Sequence, residues 1–243
     1  MNWLVATVVE LRDESATART LGLSIPAWTG HVAGQHVDVR LTAPDGYSAA
    51  RSYSIASAPG GERIELTVET LADGEVSPYL TRTLEVGDAL EVRGPIGGWF
   101  VWKPAQSEPV QLVAGGSGIV PLMAMARTRI ATRSTVPFRL LYSVRAPDAL
   151  LYGTELERYA SADDGITINY AYTRATPPGW PRPAGRIDAD LMATQTFPPS
   201  ASPTCYVCGP TAFVERVADA LAAIGHDVAR IRTERFGPSG GVR

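Results

Sequence analysis

The sequence predicts two domains in series: an N-terminal antiparallel β-barrel, then an α/β domain with a doubly wound parallel sheet. Three observations predict this. Up to about residue 102 the chain is a series of short β-type runs separated by Gly, Pro and Asp. Beyond residue 109 strand and helix patterns alternate, as they do when helices cover both faces of a parallel sheet. The chain has 243 residues, 45% hydrophobic and 19% charged, which suits two ordinary globular domains. The predicted boundaries are 1–103 and 109–243, with "KPAQSEP" (Lys103 to Pro109) as the linker.

Each element has a local reason. "WLVATVVELR", "HVDVRLT", "RSYSIAS", "RIELTVET" and "ALEVRGP" alternate or cluster apolar residues as half-buried strands do. Several such strands with Gly-rich turns suggest a small, nearly closed barrel. Its helix candidate is "SPYLTRTL", with Ser77 as N-cap and Pro78 at the first helical position. "GPIGGWFVW" supplies a closing strand with Trp99, Phe100 and Trp102 as core or rim. The second half then reads strand "VQLVAGG", helix "PLMAMARTRIA", strand "FRLLYSVR", helix "LYGTELERYA" and strand "ITINYAYTR". A Pro/Gly-rich insert and the short helix "RIDADLMAT" follow, then strand "TCYVCGP", helix "TAFVERVADALAAIG" and strand "VARIRTERF".

Composition excludes several function classes. A net charge of −3 gives no basic footprint for nucleic acid. No stretch approaches the roughly 20 apolar residues of a membrane span. "MNWLVATVVELRDE" lacks the basic segment and cleavage site of a signal peptide, and two cysteines are too few to staple a chain this long. A cytoplasmic monomer is the expectation. "CYVC" has C-x-x-C spacing, but residues three apart on a strand face opposite sides and no second pair exists, so no metal site is predicted. His31, His36 and His226 are scattered and read as structural or exposed.

"AGGSGIVP" (Ala114 to Pro121) lies between a strand and a helix, where small residues admit a ligand to the backbone and to the positive end of the helix. Gly116 and Gly118 give G-x-G, yet Pro121 stands where a third glycine would complete the dinucleotide fingerprint. The loop alone is equally a nucleotide cradle or a tight turn.

Five short motifs in order decide more. They are R-x-Y-S at Arg51, Ser52, Tyr53 and Ser54; G-x-V-S at Gly74, Glu75, Val76 and Ser77; and G-x-G-x-x-P at Gly116 to Pro121. C-G-P follows at Cys208, Gly209 and Pro210, and E-x-aromatic at Glu234 to Phe236. In this order the chain resembles the ferredoxin–NADP⁺ reductase superfamily, over nearly its whole length. The resemblance implies a flavin-binding barrel and a nicotinamide-nucleotide domain. It places Arg51 on the flavin diphosphate, Tyr53 against the isoalloxazine ring, Ser54 near flavin N5, and Ile55, Ala56 and Ser57 along the ring edge, with Ser52 in the same site. Gly74, Val76 and Ser77 would serve a second phosphate, which favours FAD over FMN. Tyr79 is either an adenine partner or an ordinary tyrosine.

In the second domain the resemblance puts Gly116, Ser117, Gly118, Ile119 and Pro121 around the nucleotide pyrophosphate, with Gly209 and Pro210 beside it. Ser54, Cys208 and Glu234 form the implied catalytic set, orienting nicotinamide and flavin and managing the N5 proton. Phe236 would lie beside the flavin, although the chain runs seven residues further, "GPSGGVR". Thr173 and Arg174, with Arg145, Arg182 and Arg186 nearby, suggest NADPH; the Lys-x-Tyr pair of NADPH-selective members is absent, and NADH stays open. The implied activity is an NAD(P)H oxidoreductase that passes electrons from FAD to a separate protein: a ferredoxin, a flavodoxin or an oxygenase component. A fused plant-type iron–sulfur domain would need four cysteines, so a stand-alone reductase is expected. The alternatives are a reductase of free flavin and a non-catalytic electron-transfer subunit.

Overall fold

Alternating apolar residues in the first half bury one face of a sheet and leave the other to solvent. The computed structural model describes residues 2–162 and 164–237. Its first half comprises β1 (Leu4–Ser15), β2 (Ala18–Ser24), β3 (His36–Thr42), β4 (Ser48–Ser54), β5 (Arg63–Glu69), α1 (Ser77–Arg82) and β6 (Ala89–Ile96). The antiparallel sheet runs β4-β3-β6-β1-β2-β5. A bridge from Ile55 to Leu66 draws its two ends together, so the sheet nearly closes into the predicted barrel. Val8, Leu21, Leu23, Val37, Val39, Leu66 and Val92 fill the interior.

The second half forms β7 (Val110–Gly115), α2 (Ile119–Ala131), β8 (Phe138–Val144), α3 (Gly153–Ser161), β9 (Ile166–Tyr172), α4 (Ala189–Gln195), β10 (Thr204–Pro210), α5 (Thr211–Ala223) and β11 (Ile231–Phe236). All five strands are parallel in the order β11-β10-β7-β8-β9. The chain starts in the middle at β7, moves outward to β9, then crosses back to β10. The winding therefore reverses between β7 and β10, and the crevice at their carboxyl ends is where such sheets bind ligands.

The two halves share one core. Ala18, Ala33, Ala56, Phe100 and Trp102 pack with α2, β7 and β8. That is why α2 is apolar nearly all round: Ile119 to Ala126 are all buried. Trp99, by contrast, is 62% exposed. No helix among the described residues is long and apolar enough to cross a membrane.

Local departures from the sequence reading have physical causes. Ser77 does not cap α1. Val76 holds the cap position, and Ser77 Oγ instead accepts the Leu71 N–H at 3.0 Å, tying down the preceding turn. α2 begins at Ile119 rather than Pro121, after a 3₁₀ turn over Gly116–Gly118. The last strand starts only at Ile231, because Asp227 caps a 3₁₀ turn over Val228–Arg230.

Candidate functional site

β4 is an edge strand paired only with β3 over Ser48–Ser54, so half of its backbone groups face no neighbouring strand. Alternation puts Arg51 and Tyr53 on one face, Ser52 and Ser54 on the other. Arg51 Nη2 lies 2.6 Å from Glu75 Oε2, and Glu75 Oε1 accepts the Tyr47 hydroxyl at 2.8 Å. Thus the R-x-Y-S and G-x-V-S segments, 24 residues apart, meet through an exposed ion pair. Tyr53 is half-buried, and desolvation pushes its hydroxyl up to about 12 despite nearby Arg51.

Four expected flavin-lining residues engage other partners. Ser52 Oγ donates to Asp38 Oδ1 at 2.7 Å, joining an Asp38–Arg93 pair rather than the strand's Tyr53 face. Ile55 and Ala56 are fully buried. The bridge to Leu66 that closes the barrel sends Ile55 into the barrel core, and Ala56 enters the core shared with α2. Ser57 is half-buried, its hydroxyl accepting the Glu65 N–H at 3.1 Å. Val76 and Ser77 also bury their side chains, leaving only backbone toward a ligand. At Gly74 a Cβ would stand 2.8 Å from Ser77 Oγ, so this glycine is needed by the turn itself.

A cleft of about 210 Å³ opens at the carboxyl ends of the parallel strands. It is lined by Gly116, Ser117, Arg145, Thr173, Pro210 and Phe236, gathered from five parts of the sequence, and by Phe213. Gly116 has φ +54°, and a Cβ there would meet nothing within 4 Å. Other loop residues serve packing. Gly118 lies against β10, while Ile119 and Pro121 are buried in the first turn of α2. Gly209 is buried, and its Cβ would come within 2.7 Å of the Phe213 ring. Arg174 and Arg186 are exposed and do not line the cleft. Among the described residues neither they nor Arg145 forms a salt bridge, whereas Arg182 is held by Asp188 and Asp190. Phe236 pairs in register with Pro210 on this cleft; residues 238–243 lie outside the described residues.

The expected catalytic residues converge where barrel meets sheet. Cys208 and Glu234 are register partners on β10 and β11. Burial, with the Glu234 carboxyl adding, pushes the Cys208 thiol well above its ordinary range, so it stays protonated. Burial also pushes Glu234 up to about 7, and its Oε2 has no hydrogen-bond partner. Glu234 Oε1 stands 3.6 Å from His36 Nδ1. His36 in turn is the register partner of Ser54 across β3 and β4. His36 therefore links Ser54 of the barrel to Glu234 of the parallel sheet. Burial lowers its basicity, opposed by Asp38, so it offers Glu234 little positive charge. Sequence reasoning missed His36: a single histidine in "GQHVDV" carries no spacing signal, and only strand register brings it to the site.

Comparison with known proteins agrees with the two-domain architecture. The model of an oxidoreductase FAD-binding domain matches residues 6–101, and that of an oxidoreductase NAD-binding domain matches residues 112–219. NADH-cytochrome b5 reductase 1 of Aspergillus terreus is 31% identical over 81% of this chain and 68% of its own length. The glycine betaine monooxygenase reductase subunit of Chromohalobacter salexigens is 32% identical over 84% of this chain and 55% of its own length. The chain spans 55–65% of the length of the first curated relatives it matches. Among solved structures, the FAD/NAD-binding domain of a Vibrio cholerae nitric oxide dioxygenase superposes with a TM-score of 0.87 at 26% identity, covering 98% of this chain and 100% of that one.

Proposed function

The chain belongs to the ferredoxin–NADP⁺ reductase superfamily of FAD- and NAD-binding oxidoreductases, and on that premise we propose that it takes hydride from NADPH onto FAD and passes electrons to a separate acceptor protein. The observation that carries the reading is the convergence of Ser54, His36, Glu234 and Cys208 where the edge strand of the barrel meets the carboxyl ends of the parallel strands. The free edge of β4 and the open space at Gly116 fit a flat ring system and a diphosphate respectively.

A bound flavin supplies the chemistry that the side chains lack: it accepts a hydride at N5 and releases electrons singly. The chain supplies position and electrostatics. Arg51 directs a forked cation at phosphate, exchanging its exposed pairing with Glu75 for it. Tyr53 offers an aromatic plane and excludes water. Ser54 and His36 offer hydrogen-bonding groups on the barrel side, Glu234 and Cys208 on the nucleotide side. Gly116 and Ser117 bring backbone N–H groups to the nucleotide pyrophosphate. As isolated, the protein should be yellow and should bleach anaerobically on adding NADPH or NADH. Arg51→Ala should lose at least tenfold in flavin retention while the apoprotein keeps its fold. A colourless wild type that turns over only with added free flavin would replace this reading by a reductase of free flavin.

The nucleotide preference rests on Arg145 and Arg174, which follow the ends of β8 and β9 and carry no carboxylate partner among the described residues. Two free cations suit the 2′-phosphate of NADPH, although the name of the Aspergillus relative specifies NADH. Arg174→Ala is expected to cost about tenfold in kcat/KM with NADPH and less than twofold with NADH. An equal loss with both nucleotides assigns Arg174 no part in the preference. The acceptor belongs to the same proposal, since the names of two relatives point to a cytochrome b5 and a monooxygenase component as acceptors of their own.

A further inference from the structure

Arg127 sits about two turns into α2, the helix that begins at the Gly116–Gly118 loop. Its side chain is 13% exposed and fully engaged. Within its own domain it grips Glu155 of α3 as a fork, with Nε 3.0 Å from Oε1 and Nη2 2.6 Å from Oε2. Toward the barrel, Nη1 donates to the Ala56 carbonyl at 2.9 Å and to Glu65 Oε2 at 3.0 Å. Ala56 lies two residues beyond Ser54. The same guanidinium lies 5.0 Å from the centroid of the Tyr152 ring.

Tyr152 reinforces the tie. It holds a left-handed conformation (φ +59°, ψ +26°) that a bulky residue adopts only when its surroundings impose it. In that pose its backbone N–H donates to Glu14 Oε2 of β1 at 3.2 Å, and its hydroxyl to Thr67 Oγ1 of β5 at 2.5 Å. Three separate barrel segments are thus bonded to two adjacent residues of the nucleotide domain. Planar fork geometry matters here, because the guanidinium makes four hydrogen bonds, to two Glu155 oxygens, the Ala56 carbonyl and Glu65, and a lysine ammonium has only three donors.

We infer that Arg127 is a positioning residue for hydride transfer, fixing the end of the flavin strand at Ala56 relative to the helix that carries the nucleotide loop. The inference rests on the reductase reading above. Transfer between two bound rings depends steeply on their separation, and a misplacement of about 1 Å can cost around a hundredfold. A residue that only added stability would lower the melting temperature and leave that step unchanged.

The test compares wild type, Arg127→Ala and Arg127→Lys, each purified with FAD. It follows anaerobic bleaching by stopped flow at saturating NADPH, and amide hydrogen exchange over residues 55–57 and 116–119. Arg127→Ala should bleach at least tenfold more slowly with FAD content within twofold of wild type, and exchange at 55–57 should rise at least tenfold. Arg127→Lys should fall between the two. Unchanged bleaching and exchange in Arg127→Ala, with only a lower melting temperature, would overturn the inference. If Arg127→Ala does not fold, Arg127→Lys decides: bleaching within twofold of wild type overturns it. Failure of wild type to bleach with either nucleotide would instead sink the reductase reading, and the exchange at 55–57 alone would then decide whether Arg127 ties the strand.

Discussion

Replacing Gly118 by alanine is expected to destabilise the fold by about 3 kcal/mol or more, a larger effect than at any other glycine of the loop. The backbone at Gly118 has φ −62° and ψ −9°, which alanine adopts freely, so conformational freedom is not what this position requires. Space is. A Cβ would stand 2.2 Å from the Cys208 carbonyl oxygen, 2.4 Å from its carbon and 2.7 Å from the Gly209 nitrogen. All three are backbone atoms of β10, so no side-chain rotation relieves the clash. Relief requires α2 to lift from a strand bonded on both sides, to β7 and β11. Overpacking costs about 1–3 kcal/mol where side chains can yield, and a rigid backbone wall puts this case at or beyond the upper end. That removes about a fifth or more of the roughly 5–15 kcal/mol available to a typical domain. Gly116→Ala is the control: its positive φ costs about 1–2 kcal/mol and its Cβ meets open space. Urea unfolding of the two variants measures the contrast. Equal midpoints would mean that the approach of α2 to β10 is slack.

The same pair of glycines shows how far the sequence could be read. Alternation of strand and helix patterns after residue 109 identified a parallel sheet, and its switch point fell at the Gly116 loop and the C-G-P segment as the topology demands. Motif order also joined segments distant in sequence: Arg51 does meet Glu75 of G-E-V-S. What the motifs could not do was separate residues that face a ligand from residues that merely let strands and helices approach. Gly116 opens on the cleft; Gly118 and Gly209 are small because Cys208 and Phe213 press against them. Ile55 and Ala56 belong to the R-x-Y-S neighbourhood in sequence, yet closing the barrel turns Ile55 inward and packing against α2 buries Ala56. Arg127 and His36 escaped altogether. Their partners in the other domain or on another helix, Glu65 and Glu155 for Arg127 and Glu234 for His36, lie 28 to 198 residues away, and no periodicity or spacing encodes a pairing that only the packed domains create.

Glu234→Gln should make the protein more stable above neutrality, slow flavin bleaching by about tenfold or more, and remove the share of the pH dependence of both that Glu234 contributes. The carboxyl is raised from an ordinary 4.5 to about 7 by burial, with Oε2 unpartnered, His36 3.6 Å away and poorly basic, and Cys208 protonated opposite. Below 4.5 the group is neutral in both folded and unfolded chains and favours neither. As pH climbs toward 7 the unfolded chain releases the proton and the folded one retains it, so stability drains away, by about 3 kcal/mol once pH exceeds 7. His36 titrates with the opposite sign, because its basicity is lowered on folding, and it does so in both proteins. The difference between the two urea midpoints therefore isolates Glu234: near zero at pH 4.5 and in favour of the glutamine variant at pH 8. Bleaching by NADPH should show a break near pH 7 in wild type, where the carboxyl changes from proton donor to acceptor, and none there in the variant. Parallel stability curves for the two proteins would place Glu234 in contact with water, and a retained break would assign the ionisation to another group, with His36 the nearest.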